Sequence, residues 1–180
     1  MKASVYIATS VDGFIAREDG SVDWLSSGED AGSGDYGYQD FMNSVDALVM
    51  GRNTYELVLS FGSWPYGDKP VIVLSSQQLQ IPESISNTVS VMSGSPGELV
   101  HRLAERGHEH LYIDGGKTIQ GFISEGLIQK IIITKVPILI GSGIPLFGAL
   151  PHDIRLHHLE TLIFDNGFVQ SKYEILENNG

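Results

Sequence analysis

Cysteine is absent from this 180-residue chain, and its absence removes several classes of site. Without thiols there is no disulfide framework, no thiolate zinc site, no iron–sulfur cluster and no cysteine nucleophile. The histidines have no carboxylates at metal-ligand spacing, so no metal site is predicted. A chain without cysteine suits a reducing compartment, and we expect a soluble cytoplasmic protein.

Basic residues are also scarce. Eleven Lys and Arg stand against 22 Asp and Glu, which gives a formal net charge of −11. A nucleic-acid partner needs a basic footprint, so we expect none. No apolar run reaches the ~20 residues of a membrane span, and we expect no membrane association. An anionic ligand must therefore be held locally, by glycine loops, helix N-termini and isolated basic side chains.

Apolar runs alternate with helical patterns along the chain, which predicts an α/β fold with a mainly parallel sheet in one domain over residues 1–180. Asn166-Gly167 favours a tight hairpin, so the sheet is expected to end in an antiparallel edge strand. The predicted strands are Ser4–Thr9, Ala47–Met50, Pro70–Leu74, His110–Ile113, Ile131–Thr134, Arg155–Phe164 and Phe168–Leu176. The predicted helices are Tyr36–Ser44, Thr54–Leu59, Pro96–Arg106 and Thr118–Glu125.

The segment Asp114–Thr118 has the features of a phosphate-binding turn. A strand runs into Gly115 and Gly116, where the backbone can approach a diphosphate closely, and a helix then opens with Lys117. A plain strand-to-helix turn, in which glycine only relieves steric crowding, explains the same residues equally well.

Two further strand ends carry donors suited to an anion. Gly51–Thr54 places Arg52 in the first turn of a helix, where a cation is disfavoured unless a phosphate is bound there. Ser75 and Ser76 follow the next strand and offer hydroxyl groups. Ligands of open α/β sheets bind outside the carboxyl ends of the strands, so the three segments together favour one anion site.

The motifs resemble those of the dihydrofolate reductase fold family, and most closely its branch containing the C-terminal reductase domain of the bifunctional riboflavin biosynthesis enzyme. Asp114 points to that branch, because the position is acidic there and is glycine in typical folate reductases. The similar segments are Val11–Ala16, Val49–Glu56 (the MGRxTxE signature), Ile72–Ser76, Asp114–Gly116 and Pro137–Phe147 (P-x-x-x-G-x-G-x-P-L-F).

The resemblance implies a three-layer α/β/α fold and NADPH-dependent hydride transfer. It implies that Ala8 and Ile15 line the nicotinamide pocket. It also implies a larger set of cofactor-binding residues: Gly51, Arg52, Asn53, Thr54, Leu74, Ser75, Ser76, Gly115, Gly116, Lys117, Thr118 and Ile119.

The substrate side is carried by fewer residues. Folate-reducing members place one acidic residue in the early helix, and counting back from Gly51 puts Asp35 there, where burial would suit it to acid catalysis. Asp35 equally fits an N-cap of the helix that follows. Trp24 and Phe41 are candidates for the wall of the ring pocket, although aromatic residues at such positions more often belong to the core. Weaker rivals as the acid are Glu29, Asp30 and Asp40.

The resulting hypothesis is a reductase of a pterin-like or pyrimidine-like heterocycle, similar to 5-amino-6-(5-phosphoribosylamino)uracil reductase. One alternative is dihydrofolate reductase proper. Another is a non-catalytic NADP-binding sensor or scaffold, which an Asp35 pointing to solvent would favour. By analogy with the riboflavin branch, a homodimer is the expected assembly.

Overall fold

The computed structural model describes residues 1–26 and 34–176. Within them the helices and strands alternate as the sequence patterns predict, with a 3₁₀ turn at Asp23–Ser26 and another at Glu83–Ile85. The strands are β1 Lys2–Thr9, β2 Phe14–Ala16, β3 Ala47–Gly51, β4 Val71–Leu74, β5 Val89–Met92, β6 His110–Asp114, β7 Lys130–Lys135, β8 Ile144–Pro145, β9 Leu156–Ile163 and β10 Val169–Ile175. The helices are α1 Tyr38–Ser44, α2 Arg52–Ser60, α3 Pro96–Glu105 and α4 Gly116–Ser124.

One eight-stranded sheet organises the fold, in the order β5-β4-β3-β6-β1-β7-β10-β9. Its first six strands pair in parallel, and β10 pairs antiparallel with both β7 and β9. The predicted antiparallel edge is therefore confirmed. A separate two-stranded sheet joins β2 to β8.

Successive residues of the buried strands belong alternately to two apolar clusters, one on each face of the sheet. Leu48 and Met50 of β3 pack with α1 and α2, on what we call the α1–α2 face. Ala47 and Val49 pack with α3 and α4, on the α3–α4 face. Side chains of a strand point alternately to opposite faces, so both faces of these central strands are apolar and the result is three layers.

Strands β1 and β6 pair at their starts and then part. Their ladder runs from Lys2–His110 to Ser4–Tyr112, whereas β1 stays paired with β7 as far as Thr9. The Tyr112 hydroxyl donates to the Tyr6 carbonyl oxygen at 2.9 Å, across the gap that the ladder leaves. The sheet is thus open between β1 and β6 at its carboxyl edge, where α/β folds bind ligands.

A buried glutamine ties the hairpin of β9 and β10 to the segment before α1. The Gln170 amide donates to the Tyr36 carbonyl oxygen at 3.0 Å, to the Thr134 hydroxyl at 3.0 Å and to the Tyr6 hydroxyl at 3.2 Å. Tyr36, whose φ is +56°, also stacks on Phe168 with 5.3 Å between ring centroids. The chain entering α1 is therefore fixed from the far side of the open cleft.

The helix and strand bounds differ from expectation by a few residues, and three strands were not predicted. Strands β2 and β8 have three and two residues, too few for a periodic pattern. The four-residue β5 pairs with β4 along its length. In the described part of the chain, no helix has both the length and the apolar character that crossing a membrane requires.

Candidate functional site

Two glycine turns lie against each other at the carboxyl edge of the sheet. An ideal Cβ at Gly51 would lie 3.0 Å from the Thr118 hydroxyl, and one at Gly115 would lie 2.6 Å from the Thr54 hydroxyl. The threonine that follows each turn therefore occupies the space where the glycine of the other turn lacks a side chain. Gly115 also has a φ of +95°, which side-chain-bearing residues rarely adopt. The predicted segments after β3 and β6 thus form one backbone-lined surface.

The small sheet of β2 and β8 closes the same surface from one side. A Cβ at Gly116 would lie 3.0 Å from the Ile144 side chain and 3.1 Å from that of Ile15. Ile15, predicted to line a nicotinamide pocket, consequently lies directly over the start of α4. Ala8, the other residue predicted there, is half-buried near the carboxyl end of β1.

The two helices that begin at this surface have uncapped N-termini. No side chain caps α2 or α4, and neither has an acidic residue in its first turn. Their first turns carry Arg52 and Lys117 instead. By contrast, α3 has a full capping box made by Ser95 and Glu98. Uncapped N–H groups with an adjacent cation favour a bound anion, since the helix N-terminus is itself partly positive.

Arg52 extends toward the end of β4. Its guanidinium donates to the Gln77 side chain and lies 3.7 Å from Glu56. The Ser75 hydroxyl accepts from the Gln77 N–H at 3.0 Å, in a local turn, and Ser76 is exposed. The predicted Arg52, Ser75 and Ser76 are therefore brought together by Gln77, a residue that the sequence motifs did not single out.

The remaining predicted cofactor residues divide into exposed and buried positions. Asn53 and Lys117 are exposed in the first turns of their helices. Leu74 packs partly against the core, and Ile119 is fully buried in it. Ile119 therefore anchors α4 rather than presenting a side chain at the surface.

Asp114, the last residue of β6, is the acidic group closest to the two turns. It lies deep in the fold with a partial opening to solvent, and its carboxylate accepts from the Gly115 N–H at 2.8 Å. Burial raises the pKa of Asp114 to about 6, although this hydrogen bond opposes the rise. The carboxyl group is thus able to hold or release a proton near neutral pH.

Three tyrosines belong to the apolar cluster on the α1–α2 face, the face to which Asp114 also points. Tyr112 lies two residues earlier on β6, Tyr38 opens α1, and Tyr66 follows α2; the charge of Asp114 acts on all three. Burial raises the pKa of Tyr38 to about 12 and also raises that of Tyr66, with Asp114 adding to both shifts. We call Tyr38, Tyr66, Tyr112 and Asp114 the tyrosine wall. Its phenols stay protonated, and the Tyr112 hydroxyl donates to the Tyr6 carbonyl oxygen.

Asp35 lies two residues before Gly37, the N-cap residue of α1, and is not a buried acid. Its carboxylate accepts from the Gly37 N–H at 3.0 Å and the Gln39 N–H at 2.8 Å, and it is exposed. These two backbone hydrogen bonds lower the pKa of Asp35. Asp40 is exposed on α1. Glu29 and Asp30 lie outside the described residues.

Both aromatic residues predicted to line the ring pocket are buried. Phe41 is buried, and its ring centroid is 5.0 Å from those of both Tyr6 and Tyr112, so it supports the tyrosine wall from beneath. Trp24 is buried in its 3₁₀ turn. Sequence reasoning did not consider Asp114 as a candidate acid, although period-two alternation on β6 places it on the face of Tyr112.

Comparison with known proteins identifies the family. The family model described as the RibD C-terminal domain matches residues 2–169, nearly the whole chain. This chain belongs to the RibD C-terminal domain family. The resemblance inferred from the motifs is therefore confirmed, and membership in this reductase-like family implies an oxidoreductase.

Individual relatives agree with this assignment. The uncharacterized protein YwjB of Bacillus subtilis (strain 168) is 39% identical over 158 residues, which cover 86% of this chain and 87% of the relative. A Shewanella sp. PV-4 protein named for riboflavin biosynthesis has a similar crystal structure, with 40% identity and a TM-score of 0.92 over 98% of this chain and all of that one.

The fold extends to a more distant enzyme. The dihydrofolate reductase of Enterococcus faecalis, in a complex with NADP(H) and RAB-propyl, superimposes with a TM-score of 0.66 at 15% identity. The alignment covers 98% of this chain and 97% of that enzyme. At this identity the likeness concerns the fold alone, and the predicted dihydrofolate reductase-like fold is confirmed.

The contact between the two turns leads to a testable prediction. Gly115→Ala brings a methyl group against Thr54 and is expected to lower the free energy of unfolding by about 2–4 kcal/mol, from collision and backbone strain together. Gly126 has a φ of +69° and open space around it, so Gly126→Ala causes backbone strain without a collision. It is expected to lower the free energy of unfolding by about 1 kcal/mol. Urea denaturation measures both losses.

Thr54→Ala removes the colliding hydroxyl and is expected to recover about 1 kcal/mol of the Gly115→Ala loss in the double variant. Strict additivity of the two substitutions would contradict the contact.

The raised pKa of Asp114 predicts a pH dependence of stability. The folded state binds this proton more tightly than the unfolded state, so the free energy of unfolding falls as pH rises from about 4 to about 6. Asp114→Asn cannot ionise and is expected to be more stable than the parent above pH 7, by about 2 kcal/mol after allowance for the partial opening to solvent.

Urea denaturation at pH 4.5 and pH 8 checks this difference, with the exposed Asp40→Asn as the control. Equal pH dependence in the parent and Asp114→Asn would show that Asp114 is not shifted.

Proposed function

We propose that the protein is an NADPH-dependent reductase that transfers a hydride to a pterin-like or pyrimidine-like heterocycle. The observation that carries the proposal is the pair of interlocked turns, Gly51 with Thr118 and Gly115 with Thr54, at the open carboxyl edge of the sheet. Their uncapped helix N-termini, with Arg52 and Lys117 beside them, fit the phosphates of a dinucleotide.

The side chains around the turns supply the remaining contacts. Arg52 would hold a 2′-phosphate together with Ser75, Ser76 and Gln77, because guanidinium and hydroxyl groups bind phosphate well. Ala8 and Ile15 would line the nicotinamide pocket. Bound NADPH supplies the hydride, and the chain supplies position and charge.

We assign to Asp114 the role of donating the proton that accompanies hydride transfer. Reduction of a C=N group adds a hydride to carbon and a proton to nitrogen. A carboxyl group with a pKa of about 6 is protonated in a substantial fraction of molecules near neutral pH and can donate to that nitrogen. Asp35, exposed and held as a carboxylate by two backbone N–H groups, has no such role.

A second candidate function is a non-catalytic NADP-binding sensor or scaffold, and the exposure of Asp35 favours it. The position of Asp114 argues against a non-catalytic protein. A buried carboxyl group beside the turns lowers the stability of the fold, and a protein that only binds NADP does not need this group. Dihydrofolate reductase proper is less well supported, since Asp35 caps α1 and Asp40 is exposed.

Cofactor binding tests the proposed function. NADPH is expected to bind at micromolar concentration in a fluorescence titration, and Arg52→Ala is expected to weaken NADPH at least tenfold more than NADH, because the guanidinium pairs with a 2′-phosphate. Arg102→Ala, on α3 with its guanidinium held by the Ser93 carbonyl, is the matched control. An equal loss of affinity for NADPH and NADH would contradict the proposed contact between Arg52 and the 2′-phosphate. Failure of the parent protein to bind NADPH would refute the proposed reductase function.

We also propose that the protein is a homodimer paired through β9. This strand forms the edge of the sheet, and all eight of its residues are exposed, Ile163 to 78%. Apolar side chains and unpaired backbone groups along an edge strand favour pairing with another strand.

Light scattering after size exclusion tests the dimer. The parent is expected to run as a dimer, and Leu159→Lys is expected to yield a folded monomer, because it places a charge in the middle of the pairing strand. Leu150→Lys, at an equally exposed position in the loop before β9, is expected to remain dimeric. A monomeric parent, or loss of the dimer in both variants, would count against β9 as the interface.

A further inference from the structure

Two loop segments join to form a small structure over the start of α4. We call residues 10–16 and 138–146 together the flap. Within it β2 pairs with β8, and the Leu146 N–H donates to the Gly13 carbonyl oxygen at 3.0 Å. The flap is therefore hydrogen-bonded within itself, apart from the eight-stranded sheet.

An aspartate closes the outer end of the flap. The Asp12 carboxylate accepts from the Gly141 N–H at 2.8 Å and from the Ile140 N–H at 3.3 Å. Farther in, an ideal Cβ at Gly143 would collide with the Ala16 carbonyl oxygen, so the two chains pass backbone against backbone. A displacement of one half of the flap consequently displaces the other half.

A glutamine joins the inner end of the flap to α4. Gln120 lies in the second turn of that helix, and its side-chain amide donates to the Pro145 carbonyl oxygen at 3.0 Å and to that of Leu146 at 3.4 Å. The Pro145 carbonyl oxygen is 3.4 Å from the position of an ideal Cβ at Gly116, the first residue of α4. Gln120 thus ties β8 to the helix whose N-terminus is the proposed phosphate site.

A glycine leaves the space that this amide occupies. An ideal Cβ at Gly148 would lie 2.7 Å from the Gln120 side-chain oxygen and 3.1 Å from its Cδ. Gly148 is exposed, and its backbone is outside the left-handed region. Alanine at position 148 would therefore meet the end of one flexible side chain and would push the Gln120 amide away from β8.

The distance between the flap and α4 matters for one end of a bound dinucleotide. Ile15 and Ile144 of the flap lie directly over Gly116, whereas the turns at Gly51 and Gly115 suit the phosphates. Resting on the reductase proposed above, we infer that Gln120 is a positioning residue that holds the flap at the distance from α4 at which Ile15 packs on the nicotinamide ring. It acts through the main chain of β8 and not by contact with the cofactor.

Two ligands that differ in the nicotinamide ring test this inference. NADPH and 2′-phospho-ADP-ribose share the adenosine, the 2′-phosphate and the diphosphate, and calorimetric titration measures both dissociation constants. Gln120→Ala is expected to weaken NADPH about fivefold and to change the affinity for 2′-phospho-ADP-ribose less than twofold, because only the ring end depends on the flap. Equal weakening of the two ligands would indicate general damage to α4 and would overturn the inference, as would unchanged binding of NADPH.

Gly121→Ala is the matched control. It changes the residue next to Gln120 on the same helix, and its Cβ would lie 3.5 Å from Pro96, an ordinary contact distance. Both ligands are expected to bind this variant as they bind the parent. A selective loss of NADPH affinity here would contradict the assignment to Gln120.

Gly148→Ala reaches the same amide from outside α4. It is expected to reproduce the selective loss of NADPH affinity, and the double variant with Gln120→Ala is expected to bind NADPH no more weakly than Gln120→Ala alone. Additive losses in the double variant, or full NADPH affinity in Gly148→Ala, would show that the amide does not act through the flap.

Hydrogen exchange in the protein without cofactor separates this inference from the reductase function. The Leu146 N–H is expected to exchange at least threefold faster in Gln120→Ala and Gly148→Ala than in the parent, while the N–H groups of β7 are unchanged. Unchanged exchange at Leu146 would refute the role of Gln120 and leave the reductase standing. Failure of the parent to bind NADPH would refute the reductase, and exchange at Leu146 would still decide whether Gln120 holds the flap.

Discussion

The parting of β1 and β6 is the constraint on which the other features of the site depend. Their ladder ends at Ser4 and Tyr112, yet both strands continue toward the carboxyl edge. The main-chain oxygen of Tyr6 would be left without a partner there, and the Tyr112 hydroxyl provides one at 2.9 Å. A side chain thus replaces a ladder hydrogen bond, and the sheet opens without leaving a buried carbonyl unsatisfied.

Two chemically different groups meet at the carboxyl end of β6, beside the open cleft. The turns at Gly51 and Gly115 have backbone N–H groups and nearby cations. Asp114, directly before Gly115, instead contributes a carboxyl group on the face of the sheet that carries the tyrosine wall. Asp114 and Gly115 are adjacent at the end of β6, yet Asp114 brings a negative charge and Gly115 belongs to a turn with a partly positive helix N-terminus. The N–H of Gly115 donates to Asp114 and joins the two.

Sequence reasoning succeeded where a local pattern has one physical cause. Apolar runs, turn glycines and the Asn166-Gly167 hairpin led to the α/β fold, the antiparallel edge and the turns of the site. It left the role of Asp35 open, because Asp35 fits a cap and an acid equally well until its backbone partners are known. Tyr38 and Tyr66 lie far from Asp114 in the sequence, and only the packing of α1 and α2 brings them to the same face of the sheet. Gln77 likewise joins Arg52 to Ser75 through a contact that no local motif encodes.

The interlocked turns also limit how such a site can change during evolution. The space above Gly51 is taken by Thr118, and the space above Gly115 is taken by Thr54. A side chain at Gly51 requires Thr118 to shift or to become smaller, whereas at Gly115 the positive φ strains any side chain even beside a smaller residue at position 54. The two halves of the surface therefore constrain each other during evolution, although more than sixty residues separate them along the chain.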